Sequence, residues 1–171
     1  MSYKIKLNNI NTFIFDVDGV LTDGKVYLLK NEIIRALNAK DGYAMQYACK
    51  MGYQIFIITG GYSEDLKSRL LELGIKEVYM RSSNKIKIYK EIQTKYKFTD
   101  QQALYMGDDI PDIPVLKQVG VSACPQDASI DVKMNVDYQS PFPGGKACVR
   151  DVIEQTLRVQ KKWLKDEAFQ W

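Results

Sequence analysis

The chain has 171 residues, of which 46% are apolar and 26% charged, and its formal net charge is only +3. This composition is typical of one soluble globular domain, and so small a charge argues against a nucleic-acid partner. No apolar run reaches the roughly 20 residues that a membrane-spanning helix needs, so we expect no membrane partner. Histidine is absent, which excludes Ser-His-Asp and Cys-His catalysis and leaves acid–base chemistry to carboxylates, lysine, tyrosine or cysteine.

The three cysteines, Cys49, Cys124 and Cys148, are odd in number and far apart in the sequence. They form no Cys-x-x-Cys pair, so they predict neither a disulfide framework nor a zinc site. A reducing, cytoplasmic location is therefore expected.

The first predicted strand, Phe13–Phe15, is a short apolar run that ends in Asp16, Asp18 and Gly19. A carboxylate at the end of a buried strand is costly unless it is paired, hydrogen-bonded or bound to a metal. Two of them at the edge where open α/β sheets bind ligands suggest a divalent cation and phosphate chemistry. The motif by itself leaves an alternative open, namely a capping aspartate followed by an ordinary turn.

The rest of the chain alternates predicted strands and helices. We predict a β-hairpin over 25–38, strands over 53–58, 78–80, 103–106, 119–123 and 136–138, and helices over 41–51, 63–73, 84–95, 110–118, 127–132 and 146–162. Asp41 and Ser63 are the predicted N-caps of their helices. This order predicts an α/β fold, a Rossmann-like doubly wound parallel sheet with an inserted hairpin. We expect one domain over 1–162 and a tail over 163–171.

Polar residues follow three of these strands, in Asp16-Val17-Asp18, Thr59-Gly60-Gly61 and Gly107-Asp108-Asp109. Because the carboxyl ends of parallel strands share one edge, we expect these segments to converge, with Lys85 within reach. Such a set suits phosphoryl transfer: one carboxylate attacks phosphorus, another moves the proton, and Mg²⁺ screens the charge. Taken singly, Thr59 is more typical of a turn residue and Lys85 of a solvated helix residue.

Four segments in this order resemble motifs one to four of the haloacid dehalogenase superfamily of phosphatases. They are Asp16-x-Asp-Gly-Val-Leu-Thr-Asp-Gly, Ile-Thr-Gly-Gly ending at Gly61, Lys85, and Gly-Asp-Asp-Ile-Pro-Asp ending at Asp112. The resemblance implies that Asp16 is the nucleophile and Asp18 the general acid/base.

The same resemblance implies the remaining site residues. Thr59 and Lys85 would bind the phosphoryl group, with Gly60 and Gly61 beside them. Magnesium would lie between Asp16, the backbone carbonyl of Asp18, and Asp108, while Asp109 and Asp112 would support the metal site or Lys85.

The segments 17–58 and 60–84 leave no room for a cap domain. In this respect the chain resembles the capless 3-deoxy-D-manno-octulosonate 8-phosphate phosphatases of lipopolysaccharide precursor biosynthesis. That family implies a homotetramer with hairpins around the four-fold axis, active sites at subunit interfaces, and a phosphorylated 2-keto sugar acid as substrate. Gly144-Gly145 followed by Arg150 also matches, and Arg150 would be a substrate-binding cation.

The chain departs from this family at two places. Gly61 stands where the family often has arginine, and Ala147 and Cys148 follow Lys146 where the family has Gly-Ala. Two alternatives stay open: a phosphatase for a nine-carbon 2-keto-3-deoxy sugar acid 9-phosphate, and a catalytically silent oligomerisation or regulatory module. The apolar tail from Trp163 to Trp171 is equally consistent with packing on its own subunit and with capping a neighbour's site.

Overall fold

The computed structural model describes residues 2–30 and 33–170. Its central feature is a six-stranded sheet. The strands of this sheet, in chain order, are β1 (Thr12–Phe15), β4 (Gln54–Ile58), β5 (Glu77–Tyr79), β6 (Ala103–Met106), β7 (Val121–Cys124) and β8 (Tyr138–Gln139). They are parallel and lie in the spatial order β5-β4-β1-β6-β7-β8. The predicted fold class is confirmed, and the carboxyl ends of β4, β1 and β6 are immediate neighbours.

Helices cover both faces of the sheet. They are α1 (Tyr3–Lys6), α2 (Ala39–Lys50), α3 (Glu64–Glu72), α4 (Lys85–Tyr96), α5 (Ile113–Leu116), α6 (Ile130–Lys133) and α7 (Cys148–Val159). Phe13 and Phe15 point into the core beneath α2 and α7, whereas Ile14 points into the opposite core beneath α4. All three side chains are fully buried, because successive residues of a strand face opposite sides and both sides of this sheet are covered.

The inserted hairpin consists of β2 (Tyr27–Leu28) and β3 (Ile33–Ile34), which pair antiparallel. Its apolar side chains face outward, and Leu28 is 76% exposed. Asn31 and Glu32, which belong to the predicted turn, lie outside the described residues. An antiparallel pair this short is only marginally stable by itself. Exposed apolar surface of this kind is typical of interaction sites.

The predicted cap at Asp41 is wrong for its own helix. α2 begins at Ala39 because the side chain of Asn38 accepts a hydrogen bond from the Lys40 backbone N–H at 2.9 Å. Asp41 is buried, and its Oδ1 accepts the backbone N–H of Arg150 at 2.7 Å. The carboxylate therefore caps the first turn of α7, which packs against α2.

Other predicted boundaries shift by a few residues. The predicted helix over 110–118 is a 3₁₀ turn, Ile110–Asp112, followed by α5, since Pro111 and Pro114 fit only the first turns of helices. The helix predicted over 146–162 is shorter, because Ala147 has a left-handed backbone at φ +75° before α7 begins. The helix predicted over 127–132 starts at Ile130, and the last strand lies at Tyr138–Gln139. The sequence analysis did not predict α1.

The described part of the tail packs on its own chain. The ring of Trp163 meets that of Tyr47 edge-on at 5.4 Å, and Tyr47 Oη donates to the Lys162 carbonyl at 2.7 Å. Further along, Lys50 Nζ donates to the Gln170 carbonyl at 2.9 Å. Trp171 lies outside the described residues. Within the described ranges, no helix has the length and apolar character needed to cross a membrane.

Candidate active site

The polar segments predicted to converge do meet at one edge of the sheet. They line a cavity of about 520 Å³ at the carboxyl ends of β1, β4 and β6. Its walls include the predicted site residues Asp16, Asp18, Thr59, Gly60, Gly61, Lys85, Asp108, Asp109 and Asp112. Because most of the lining side chains are charged or polar, the cavity is suited to a charged ligand.

Lys85 connects the first and last of these segments. It is the first residue of α4, whose N-cap is Asn84, and only 7% of its side chain is exposed. Its Nζ lies 3.0 Å from Asp16 Oδ1 and 2.7 Å from Asp112 Oδ1. Burial alone would lower the pKa of Lys85, but the charges of Asp16 and Asp112 raise it, so the side chain is an ammonium.

Asp112 is held by four donors. Its Oδ1 accepts from Lys85 and from the hydroxyl of Tyr105 at 2.5 Å. Its Oδ2 accepts the backbone N–H groups of Asp108 and Asp109 at 3.0 and 3.2 Å. Both oxygens are thus engaged, and Asp112 acts as the brace that positions Lys85 and the Asp108 loop.

The side chain of Asp109 points elsewhere. It accepts the Ile110 backbone N–H at 2.8 Å and caps the 3₁₀ turn. Its backbone N–H, rather than its carboxylate, reaches the Asp112 brace.

Asp16 and Asp108 form the electrostatic centre of the site. One carboxylate oxygen of each lies within 4.8 Å of the other and of Asp112. Burial, followed by the charges of the neighbouring aspartates, raises the pKa of both Asp16 and Asp108. Three carboxylates facing one ammonium leave excess negative charge, which a divalent cation would neutralise.

The donor set fits magnesium, which prefers a few carboxylate oxygens and keeps its remaining positions for water and phosphate. Asp16 and Asp108 can each offer a carboxylate oxygen to such an ion, whereas both oxygens of Asp112 are engaged by donors of the chain. Gly19 is part of the same cradle: it has φ +88°, and a Cβ there would come within 2.0 Å of Asp108 Oδ2. No side chain fits at that position without displacing the carboxylate.

Thr59 lies at the end of β4 and is 2% exposed. Its Oγ1 accepts the Gly61 backbone N–H at 3.1 Å, which folds the Gly60-Gly61 segment around the cavity. The hydroxyl and the glycine backbone thus line one wall, opposite Asp108 and Asp109.

Asp18 has a partner that the sequence analysis missed. Arg35, which follows β3 of the hairpin, donates from Nε to Asp18 Oδ1 at 2.6 Å and from Nη2 to Oδ2 at 3.1 Å. Only a lone charge in the apolar segment Ile33–Leu37 marked this arginine in the sequence. The paired contact itself depends on how the hairpin folds back over β1.

Similarity to curated proteins identifies the family of the chain. The chain is 36% identical over 95% of its length to the 3-deoxy-D-manno-octulosonate 8-phosphate phosphatase KdsC of Escherichia coli K12, and covers 86% of that protein. The chain belongs to the 3-deoxy-D-manno-octulosonate 8-phosphate phosphatase family. A family model described as haloacid dehalogenase-like hydrolase also matches residues 71–144. The resemblance read from the four motifs is confirmed, and so is the assignment as a phosphoric monoester hydrolase.

Solved structures of this phosphatase family have the same fold. The Yersinia pestis 3-deoxy-D-manno-octulosonate 8-phosphate phosphatase superposes with a TM-score of 0.91 at 34% identity, over 93% of this chain and 86% of that one. The Moraxella catarrhalis phosphatase, solved with magnesium, phosphate and KDO, superposes with a TM-score of 0.90 at 27% identity, over 94% and 92% of the two chains.

Arg150, the predicted substrate-binding cation, does not line the cavity within one chain. Its guanidinium lies 5.7 Å from the Tyr43 ring centre and 5.5 Å from that of Trp163, and its Nε is 3.4 Å from Glu154 Oε2. These contacts fix α7 and the tail. A single chain therefore lends no support to the substrate contact, which stays a prediction.

The glycine loop before α7 does reach the site region. A Cβ on Gly144 would lie 2.0 Å from the Gly19 carbonyl, so this close approach requires glycine. The next departure from the family, Ala147, keeps a left-handed backbone. The loop thus keeps a glycine-like conformation although it carries an alanine.

Proposed function

We propose that the protein is a magnesium-dependent phosphatase that hydrolyses 3-deoxy-D-manno-octulosonate 8-phosphate to the free sugar acid and phosphate. The observation that carries this proposal is the cluster of buried Asp16, buried Lys85 and half-buried Asp108 in a chain that belongs to a phosphatase family. A silent oligomerisation module would have no chemical need for these costly buried charges.

In the first half-reaction, a carboxylate oxygen of Asp16 attacks the phosphorus atom. The new O–P bond forms an aspartyl phosphate while the bond from phosphorus to the sugar oxygen breaks. Asp18 gives its proton to the departing sugar oxygen, which leaves as an alcohol. Lys85 and Thr59 would hold the phosphoryl oxygens in line with Asp16.

In the second half-reaction, Asp18 takes a proton from water as that water attacks phosphorus. The O–P bond to Asp16 breaks, phosphate leaves, and both carboxyl groups return to their starting states. The ammonium of Lys85 balances charge in both halves, because its pKa is raised by Asp16 and Asp112 despite its burial.

Magnesium would be held by Asp16, Asp108 and the backbone carbonyl of Asp18. When bound, it would neutralise the repulsion between the carboxylate nucleophile and the phosphate dianion. The relative from Moraxella catarrhalis binds magnesium, phosphate and KDO, which supports the same ligands for this chain.

A phosphate-release comparison tests the substrate. We expect the eight-carbon keto sugar acid 8-phosphate to have the highest kcat/KM among eight- and nine-carbon keto acid phosphates and common hexose phosphates. A nine-carbon 9-phosphate that is hydrolysed more efficiently would overturn the assignment. Treatment with EDTA should abolish release, and added Mg²⁺ should restore it.

We also propose that the chain forms a homotetramer with active sites at subunit interfaces, and that it acts in the cytoplasm in lipopolysaccharide precursor synthesis. The exposed apolar side chains of the hairpin, including Tyr27, Leu28 and Ile33, support the assembly. The cysteines are free, as expected in a reducing compartment. Light scattering tests the assembly, and a monomeric mass at micromolar concentration would contradict it.

A further inference from the structure

The contact between Arg35 and Asp18 joins the hairpin to the cavity. Arg35 lies just beyond β3, while Asp18 belongs to the loop after β1 and lines the cavity. The guanidinium meets the carboxylate through two bonds, at 2.6 and 3.1 Å. A paired geometry of this kind fixes the orientation of a carboxylate plane as well as its distance.

The surroundings make room for this arginine. Its side chain is only 9% exposed. A Cβ on Gly61 would come within 2.9 Å of Arg35 Nη2 and 3.2 Å of Asp18 Oδ2. Any side chain at position 61 would therefore press on both partners, and the glycine keeps the space in which they meet.

The pair is not optimised for stability. Arg35 Nη1 is buried and lacks a hydrogen-bond partner among the described residues. An unsatisfied buried donor costs free energy, and such groups are concentrated at functional sites. An arginine that served the fold alone could point into solvent, as the exposed Arg69 does.

We infer that Arg35 is a positioning residue for Asp18. It couples the position of the hairpin to that of the loop after β1, and it holds the acid/base carboxylate of Asp18 in one rotamer. This inference rests on the proposed function, because it assumes that Asp18 moves the proton of the leaving group. Arg35 acts through Asp18 and is not itself assigned a contact with the substrate.

The test exploits the leaving group. The sugar oxygen of 3-deoxy-D-manno-octulosonate 8-phosphate needs a proton as it departs, whereas p-nitrophenolate is a stable anion that leaves without one. General acid catalysis is worth about 10²–10⁴-fold, and misplacing a catalytic group by about 1 Å can cost about 10²-fold. We expect Arg35→Met to lower kcat/KM about 10- to 100-fold on the sugar phosphate and no more than about threefold on p-nitrophenyl phosphate. The comparison uses kcat/KM because this ratio reports the steps up to departure of the leaving group, whereas kcat also includes the attack of water that Asp18 assists with either substrate.

Three further variants make the result specific. Arg35→Lys keeps the charge but not the paired donors of the guanidinium, and should recover part of kcat/KM on the sugar phosphate. Arg69→Met, at an exposed arginine on α3 paired with Glu72, should leave the rates on both substrates unchanged. Asp18→Asn should show the same selective loss of kcat/KM as Arg35→Met, but a larger one.

The outcomes separate the two proposals. If Asp18→Asn lowers kcat/KM selectively for the sugar phosphate and Arg35→Met lowers kcat/KM equally for both substrates, or for neither, the inference about Arg35 fails while the proposed function stands. If Asp18→Asn itself lowers kcat/KM equally for both substrates, the acid/base assignment fails and the role of Arg35 fails with it. Light scattering on Arg35→Met should show the mass of the unsubstituted protein, and a changed mass accompanied by equal losses on both substrates would also overturn the inference.

Discussion

The strand-end cluster, which consists of Asp16, Lys85, Asp108 and Asp112, differs from the hairpin in both burial and charge. At the cluster, Asp16, Lys85 and Asp112 are buried, charged and fixed by several short contacts within one chain. On the hairpin, Tyr27 and Leu28 are apolar, exposed and paired only with the other short strand. The buried charges of the cluster cost folding free energy, and a role in the reaction accounts for their presence. The hairpin leaves apolar surface exposed, and a second subunit could cover it. Arg35 connects the two.

Substituting the nucleophile should separate activity from stability most sharply. We expect Asp16→Asn to reduce phosphate release about 10⁴-fold or more, as loss of a covalent nucleophile does. Without metal, the variant should be at least as stable as the unsubstituted protein, because a crowded buried charge is removed while Lys85 keeps Asp112. Phosphate release and thermal unfolding in EDTA measure the two effects, and an Asp16→Asn protein with most of its activity would disprove the nucleophile assignment.

Removing the cation of the cluster should have the reverse effect on stability. In Lys85→Met, Asp16 and Asp112 face each other without compensation, and breaking a buried ion pair typically costs about 3–5 kcal/mol. Urea unfolding at neutral pH measures the loss of unfolding free energy. Lys87→Met, on the exposed side of the same helix, is the matched control and should change it by less than about 0.5 kcal/mol. An equally small change for Lys85→Met would mean that the cluster is solvated rather than buried.

A substitution on the hairpin should change the assembly and leave the unfolding free energy of the single chain nearly unchanged. Leu28→Glu places a charge on a surface that the fold of one chain does not bury, so the unfolding free energy of the monomer should change little, by about 0.5 kcal/mol. The mass in light scattering should fall from that of the proposed tetramer to that of a smaller species. Leu71→Glu on α3, also an exposed leucine, should leave the mass unchanged. Retention of the full mass by Leu28→Glu would separate the hairpin from the assembly.

The affinity of the cluster for Mg²⁺ should depend on pH. Burial and neighbouring charges raise the pKa of Asp16 and Asp108, so the metal-free site holds protons that the unfolded chain would release. Magnesium needs the ionised carboxylates and must displace those protons. The apparent affinity should therefore fall as pH decreases toward and below neutrality. Calorimetry in buffers of different ionisation enthalpy should detect proton release on binding, and a pH-independent affinity would contradict the raised pKa values.

The smallest expected effect concerns the loop beside the cluster. Ala147 has φ +75°, and a left-handed backbone costs a non-glycine residue about 1–2 kcal/mol. Because glycine loses more chain entropy on folding, Ala147→Gly should stabilise the protein by about 0.5–1 kcal/mol net. Thermal unfolding measures this gain, with Ala44→Gly in the middle of α2 as a control that should destabilise. A loss of stability in Ala147→Gly would show that the Cβ makes packing contacts worth more than the strain.

The positions of the site residues were more predictable from the sequence than their long-range contacts were. Asp16 and Thr59 follow directly after an apolar strand and Asp108 comes one residue after another, so the parallel topology alone brings them to one edge. Lys85 begins a helix that its neighbour Asn84 caps, which is a local signal. These positions depend on short-range patterns, and the structure brings them together as expected.

The long-range partners had no such signal. Asp41 caps α7 rather than its own helix, because a carboxylate near a helix start satisfies whichever N–H groups the packing presents. Arg35 reaches Asp18 only because the hairpin folds back over the loop. The tail could have packed on either subunit, and its contacts with Tyr47 and Lys50 arise from a matching surface on α2 that no periodicity encodes.

The order of the strands also has a consequence for biosynthesis. β1 is synthesised before the other strands of the sheet, yet its two neighbours are β4 and β6, which come later in the chain. Both strands that pair with β1 are therefore synthesised after it. A nascent chain thus carries the nucleophile early, on an apolar strand without hydrogen-bonding neighbours, which is a hazard for aggregation. Only when residues 108–112 have left the ribosome can the brace and the metal ligand join Asp16. The site therefore cannot be complete before about two thirds of the chain has been synthesised.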